Sequence, residues 1–335
     1  MTWMLTGGAG YIGGHVARAF QAAGRDLVVL DDLSTGHAER LDGVRLVEAS
    51  LLSPVDRLES IMVEHGVTGI VHLAAKKAIP ESVEQPLFYY EHNVAGTIAL
   101  LRAAVKIGVG HVLYSSSAAV YGETRDGLVE ESHSTTPTSP YGETKLAAEW
   151  LVRRAAEAHG LSWTVLRYFN VAGAADSRLA DRGTFNLLPI VFRCVDSRQP
   201  VSVFGSDWPT PDGSCVRDYV HVDDLAAAHL AAADALENGR LKAGVFNVGR
   251  GEGVSVLEML SVIEQALGHP VPRRIAPRRP GDAASVVADV SRIAAQLGWR
   301  AERGIEDIAV SAWRAWSEHK RYPATSTPCR SEMLT

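Results

Sequence analysis

Cysteine is scarce: the 335 residues hold three, Cys194, Cys215 and Cys329, with no CxxC pair. Three thiols cannot all pair with one another, which points away from a disulfide-stapled secreted fold and from a zinc site, and towards a reducing cytoplasm. Long apolar runs are missing too. Residues 70–75 and 225–235 are the longest, and both are short or broken by Asp and His. A membrane-spanning helix needs ~20 such residues. Positive charge is in deficit, with 33 Lys and Arg against 39 Asp and Glu and a net charge of −6. No basic field is left to hold a nucleic-acid backbone, so neither nucleic acid nor membrane is expected as a partner. The first residues enter an apolar strand with no basic segment or cleavage site, so no secretion signal is expected.

What is present suits a soluble enzyme-sized domain. Apolar residues make up 46% and charged residues 21%, enough to bury a sizeable core without staples. Apolar runs over 3–5, 27–30, 44–47, 69–74, 111–115 and 163–166 alternate with helical patterns over 11–23, 55–64, 91–107 and 141–159. That alternation predicts βαβ units and a doubly wound α/β fold on a parallel sheet. After about residue 170, Pro, Gly and Asp cluster at 205–213 and 276–282, between short elements at 201–204 and 254–267. This predicts a second lobe woven onto the first, since no flexible linker divides them.

The segment 6–13, TGGAGYIG, joins the first strand to the first helix. Gly7 permits the tight turn, Gly10 lets backbone approach a pyrophosphate, and Gly13 lets the helix pack close to the sheet. Phosphates then sit at the positive end of the helix. Asp31 follows about 20 residues later, where a carboxylate accepts both ribose hydroxyls and repels a 2′-phosphate. With no Arg or Lys beside it before Arg40, NAD is favoured over NADP. The plainer reading of Asp31 is a turn-forming residue.

Tyr141 and Lys145 stand at i and i+4 of a predicted helix, one turn apart on one face. A nearby ammonium lowers a phenol pKa, so Tyr141 is expected to serve as a base near neutral pH. Ser115, Ser116 and Ser117 end a predicted strand, where an open α/β sheet exposes side chains to its ligand crevice. Arg217 and Arg279 suit a diphosphate, because a guanidinium makes bidentate charge-assisted bonds. His221, Asp223 and Asp224 do not converge as metal ligands and read as a strand-to-helix junction; no metal is expected. Trp299, Trp313 and Trp316 read as packing groups.

Residues 6–13, Asn93, Ser117, Tyr141 and Lys145 resemble the extended short-chain dehydrogenase/reductase superfamily. More narrowly, residues 72–82, 115–122, 139–145, 167–173, 209–225 and 276–282 are similar to the UDP-glucose (UDP-galactose) 4-epimerase family. The resemblance covers about residues 1 to 320. It implies a Rossmann-type sheet over residues 1–170 and a smaller C-terminal α/β substrate lobe over 171–320, while the Pro, Ser and Thr after residue 321 predict a flexible tail over 321–335. It further implies tightly bound NAD, a UDP-sugar substrate, a cytoplasmic homodimer, and epimerisation through a 4-keto sugar. In this reading Tyr141 removes the 4-hydroxyl proton, Lys145 binds the nicotinamide ribose and Ser117 helps to move the proton.

By the same resemblance Tyr11, Ile12, Asp31, Asp32, Leu33, Ser34, Thr35, Gly36, Leu51, Leu73, Ala74, Ala75, Lys77, Asn93, Ser115 and Phe169 line the cofactor site. Lys77, Asn170, Asn186, Leu187, Ser202, Val203, Phe204, Arg217, Arg279 and Asp282 would bind the UDP-sugar. Ser50 stands where the family usually has Asp at the adenine, and a hydroxyl still accepts a bond there. Val286 holds the position associated with tolerance at the sugar C2 substituent, so a UDP-N-acetylglucosamine form stays open, and a UDP-glucuronate form stays open as one needing a cation near C6, for which Lys76, Lys77, Arg178 and Arg182 are candidates. A 4,6-dehydratase is disfavoured because Ala118 and Ala119, not an acidic pair, follow Ser117. A non-catalytic NAD sensor on the same scaffold is the remaining alternative.

Overall fold

The computed structural model describes residues 1–124, 128–279 and 281–319; the tail expected over 321–335, and Cys329 in it, lie outside the described residues. Seven parallel strands form the main sheet, in the order Ala243–Val248, Ser162–Tyr168, His111–Ser117, Val67–His72, Thr2–Thr6, Asp26–Asp31 and Arg45–Glu48. The chain starts in the middle, runs outward to one edge, and crosses back to build the other half. The expected doubly wound sheet is therefore present, with its topological switch beside the first strand.

Strand alternation divides the core. Trp3 and Leu5 join Val16, Phe20, Val29 and Leu225 on one face, beneath helices Tyr11–Ala22 and Val222–Glu237. Met4 joins Val28, Leu30, Leu58, Ile70 and Leu100 on the other, beneath helices Val55–Glu64 and Gly96–Ile107. Helix Pro140–His159 covers the strand His111–Ser117 through Tyr114, Ala148 and Val152. Both faces are dry, which is why the strands read as continuous apolar runs.

The later residues add a second core around Leu188, Phe192, Val203, Tyr219, Leu260 and Ile308, which Trp313 and Trp316 pack against. Its strands form small sheets: Val216–His221 pairs with Gly253–Ser255, Ser285–Ala288 and Asn170–Ala172, and Val201–Phe204 pairs with Arg273–Ala276. Trp299 is buried in the first core, its indole N–H donating to the Asp224 carbonyl at 3.0 Å. His221 caps the helix Val222–Glu237 by accepting the Asp223 N–H at 3.0 Å, the junction role that the sequence suggests.

Three elements differ from the sequence reading. The strand is Val67–His72 rather than 69–74: Leu73 N–H makes the last ladder bond, to the Thr6 carbonyl at 3.0 Å, and the chain then leaves the sheet. The helical stretch over 91–107 begins as a π-helical turn, Tyr90–Ala95, and becomes α-helical only at Gly96. The region 254–267 splits into strand Gly253–Ser255 and helix Val256–Leu267, joined by a Ser255–Glu258 capping box.

Candidate active site

The glycine turn is built by close approach. Gly7 has φ +73°, and a Cβ there would lie 2.7 Å from the Ala74 Cα. A Cβ on Gly13 would lie 2.2 Å from the Gly7 carbonyl oxygen, so the helix can begin directly on the turn only without one. Gly10 is extended and sits at the start of helix Tyr11–Ala22, with no side chain capping it and no acidic residue in its first turn. That leaves a positive helix end free for an anion, which fits a dinucleotide pyrophosphate. Asp31 closes the turn: its Oδ2 accepts the Ala9 N–H and its Oδ1 the Leu33 N–H, both at 2.9 Å. Burial pushes its pKa up and these two amides pull it back. These bonds give Asp31 its turn-forming role, and each oxygen keeps a lone pair beyond them.

The loop after Val67–His72 is pinned across this turn. Asn93, in the π-helical turn, accepts the Lys76 N–H at 2.8 Å and donates to the Lys76 carbonyl and to Thr144 Oγ1, both at 3.0 Å. His72 is buried and held neutral, its pKa lowered by burial to about 3. Thr97 donates to the Asn93 carbonyl, so the network assigns the His72 proton to Nε2, donating to Thr97. Thr6 then donates to His72 Nδ1 at 2.7 Å. Lys76 Nζ donates to Ser34 Oγ at 3.0 Å, and Ser34 donates to Asp32 Oδ1 at 2.6 Å. This link spans from the fourth strand's loop to the second strand's loop, over the first strand between them.

Ser139 caps helix Pro140–His159 by accepting the Gly142 N–H at 3.2 Å. The helix start is pressed onto the turn after the serine strip: a Cβ on Gly142 would lie 2.6 Å from the Ala119 carbonyl oxygen. Tyr141 thereby sits beside Ser117. Lys145 is buried one turn on, donating to the Ser115 carbonyl at 2.8 Å with its ammonium 5.1 Å from the Tyr114 ring centre. The electrostatics differ from the sequence expectation. Burial pushes the Tyr141 phenol up and the Ser117 hydroxyl pulls it down. Burial also lowers Lys145 to about 7, with Glu149 opposing. The reason is burial: both groups are withdrawn from solvent, which disfavours the charged form of each.

Residues 3–249 match the NAD dependent epimerase/dehydratase family. A UDP-glucose 4-epimerase of Halalkalibacterium halodurans is 41% identical over 327 residues, covering 96% of this chain and 97% of that protein. A UDP-glucose 4-epimerase of Bacillus subtilis is 41% identical over 329 residues, covering 94% and 96%. The crystal structure of a UDP-glucose-4-epimerase from Stenotrophomonas maltophila, with bound NAD and formylated UDP-arabinopyranose, superposes with a TM-score of 0.91 at 38% identity, covering 96% of this chain and all of that one. The chain belongs to the NAD dependent epimerase/dehydratase family.

Within this family member, the remaining candidate residues distribute as follows. Leu33 adopts φ 54°, and a Cβ on Gly36 would meet Asp31 Oδ1 at 2.8 Å, so the 31–36 loop folds tightly around its own carboxylate while Thr35 stays exposed. Ser50 accepts the Leu52 N–H at 3.1 Å. Leu51 and Phe169 are buried, Ile12, Leu73, Ala74 and Ala75 half-buried, and Lys77 exposed. Tyr11 donates to the Gly173 carbonyl at 2.7 Å and lines a cleft with Asn170, Asp181, Asn186 and Leu187. Asn186 donates to Asp181 at 2.6 Å.

Asp282 joins two guanidiniums, Arg217 at 3.3 Å and Arg279 at 2.9 Å, and Val286 stands opposite Arg217 in the parallel register. Arg279 lies over Phe204, 4.6 Å from the ring centre. Val203 points into the second core, while Ser202 and Phe204 take the other face of their strand and Ser202 accepts from Arg274 Nε at 3.0 Å. Sequence reasoning missed Gly142, Thr144, His72 and Glu149 (the glycine between Tyr141 and Lys145 was the one visible signal). Among the described residues, no group of three His, Cys, Asp or Glu side chains is placed to hold a metal ion.

Proposed function

We propose that the protein is an NAD-dependent UDP-hexose 4-epimerase that interconverts UDP-glucose and UDP-galactose. The observation that carries this reading is the meeting of Tyr141, Lys145 and Ser117 at the carboxyl edge of the sheet, beside an uncapped glycine turn. End-to-end similarity to proteins named UDP-glucose 4-epimerase supports the same activity. NAD, when bound, supplies the hydride acceptor and donor for carbon 4 of the sugar.

The chain's own residues do the rest. Gly10 presents backbone to the pyrophosphate, Gly7 makes the turn and Gly13 lets the helix start close upon it, and Asp31 takes the adenosine ribose. Tyr141 removes the proton from the sugar 4-hydroxyl and returns it, with Ser117 beside it as relay. Lys145, one turn further along the same helix, stabilises the phenolate when it carries its proton. Arg217 and Arg279, gathered by Asp282, face the diphosphate. We further assign a homodimer in the cytoplasm. Val83, Leu87, Tyr90 and Trp150 leave exposed apolar surface on helices that pack together, a face suited to a second copy. Substituting Tyr141→Phe is expected to leave UDP binding intact and to lower kcat by about 10²-fold or more. Steady-state turnover and UDP titration check it, and turnover at the wild-type rate refutes the assignment.

A further inference from the structure

Behind Tyr141 and Lys145 runs a buried chain of polar side chains that the reaction as described leaves unused. Glu149 stands four residues after Lys145 on helix Pro140–His159, and both are buried. Arg167, from the neighbouring strand, holds the Glu149 carboxylate with Nε on Oε1 at 2.9 Å and Nη2 on Oε2 at 2.7 Å. Ser116 Oγ donates to the same Oε1. Arg167 continues to the Tyr121 hydroxyl at 3.0 Å, which donates to Asn247 Oδ1 at 2.6 Å. Ser116 is the centre of the serine strip: the carbonyl before it takes Lys145, and the hydroxyl after it lies beside Tyr141.

We propose that Glu149 is a positioning residue for the Tyr141–Lys145 pair, acting from behind it: with Arg167 and Ser116 it fixes the serine strip against the helix and places a negative charge behind the Lys145 ammonium. The groups facing Lys145 bear this out. Strand His111–Ser117 offers the Tyr114 ring and the Ser115 carbonyl. Strand Val67–His72 offers His72, which is neutral, and strand Ser162–Tyr168 offers Arg167, already paired with Glu149. The helix itself offers Tyr141 and Glu149. Glu149 is the carboxylate among them, and it opposes the lowering of Lys145 by burial.

The inference rests on the reading of Tyr141 and Lys145 as the reacting pair, and the test separates the two. Glu149→Gln keeps the shape and an acceptor for Ser116 but removes the charge. The basic limb of the kcat–pH profile, where Lys145 loses its proton, is expected to move about one unit to lower pH. KM for UDP-galactose and bound NAD content are expected to hold within twofold. Glu149→Gln with Arg167→Gln leaves no lone guanidinium in the core and is expected to show a smaller displacement in the same direction, because the paired positive charge leaves with the negative one. If either protein folds and its basic limb stays at the wild-type pH, the proposal falls. If neither folds, Ser116→Ala decides, expected to lower kcat about fivefold at constant KM by loss of one hydrogen bond; wild-type kcat there overturns the proposal. An active Tyr141→Phe protein would instead overturn the assignment of the pair itself.

Discussion

Gly13 illustrates how a single missing atom shapes the site. The nearest groups to a Cβ there are backbone, the Gly7 oxygen at 2.2 Å and the Gly8 Cα at 2.6 Å, and backbone cannot rotate aside. Gly13→Ala is therefore expected to destabilise the protein by roughly 1–3 kcal/mol and to weaken NAD binding, as read by urea unfolding and by the NAD content of the purified protein. A variant with wild-type stability and full NAD content would contradict the close approach described here. Gly7, Gly13 and Asp31 are legible in the sequence because their constraint acts within one βαβ unit. His72, Thr144 and Glu149 are not, because their partners Thr97, Asn93 and Arg167 lie on other elements of the chain.

Helix Pro140–His159 carries both Tyr141 and Lys145, so its start sets their aim. Ser139 accepts from Gly142, Pro140 takes the first position, and Gly160 ends the helix at φ +75°. Ser139→Ala is expected to cost about 1 kcal/mol, with a larger loss in kcat than in UDP affinity, because the first turn holds Tyr141. Thermal unfolding and steady-state kinetics check this, and an unchanged kcat would place Tyr141 beyond the cap's influence. Apolar periodicity marks this helix and the strands of the first half because they are buried on one stripe or on both faces. The strand Ala243–Val248 escapes that reading: it is six residues long, contains Gly244, and belongs to the main sheet only through pairing with Ser162–Tyr168. The π-helical turn at Tyr90–Ala95 escapes it too, since its role comes from Asn93 gripping Lys76.

Among the described residues four buried histidines, His15, His72, His221 and His229, have their pKa lowered by burial. Burial lowers His15 to about 4, His72 to about 3 and His229 to about 4 from the ordinary 6.5. Their folded pKa values lie below the unfolded value, so the unfolded chain binds more protons across this window. Stability is fully present above about pH 6.5 and is lost as pH falls towards 4. The urea midpoint is expected to drop between pH 7 and pH 5, and to drop less steeply in His229→Gln; equal slopes would show that His229 takes up its proton without unfolding. The glycine turn and the Tyr141–Lys145 pair both stand at the carboxyl ends of main-sheet strands, and the proposed epimerisation draws on both together with the arginines of the second lobe. The most direct measurement is turnover of UDP-galactose by the purified protein with no NAD added, the products separated by chromatography. Conversion to UDP-glucose, with no net oxidation or reduction, is predicted. No conversion, with NAD supplied as well as without it, would contradict the account.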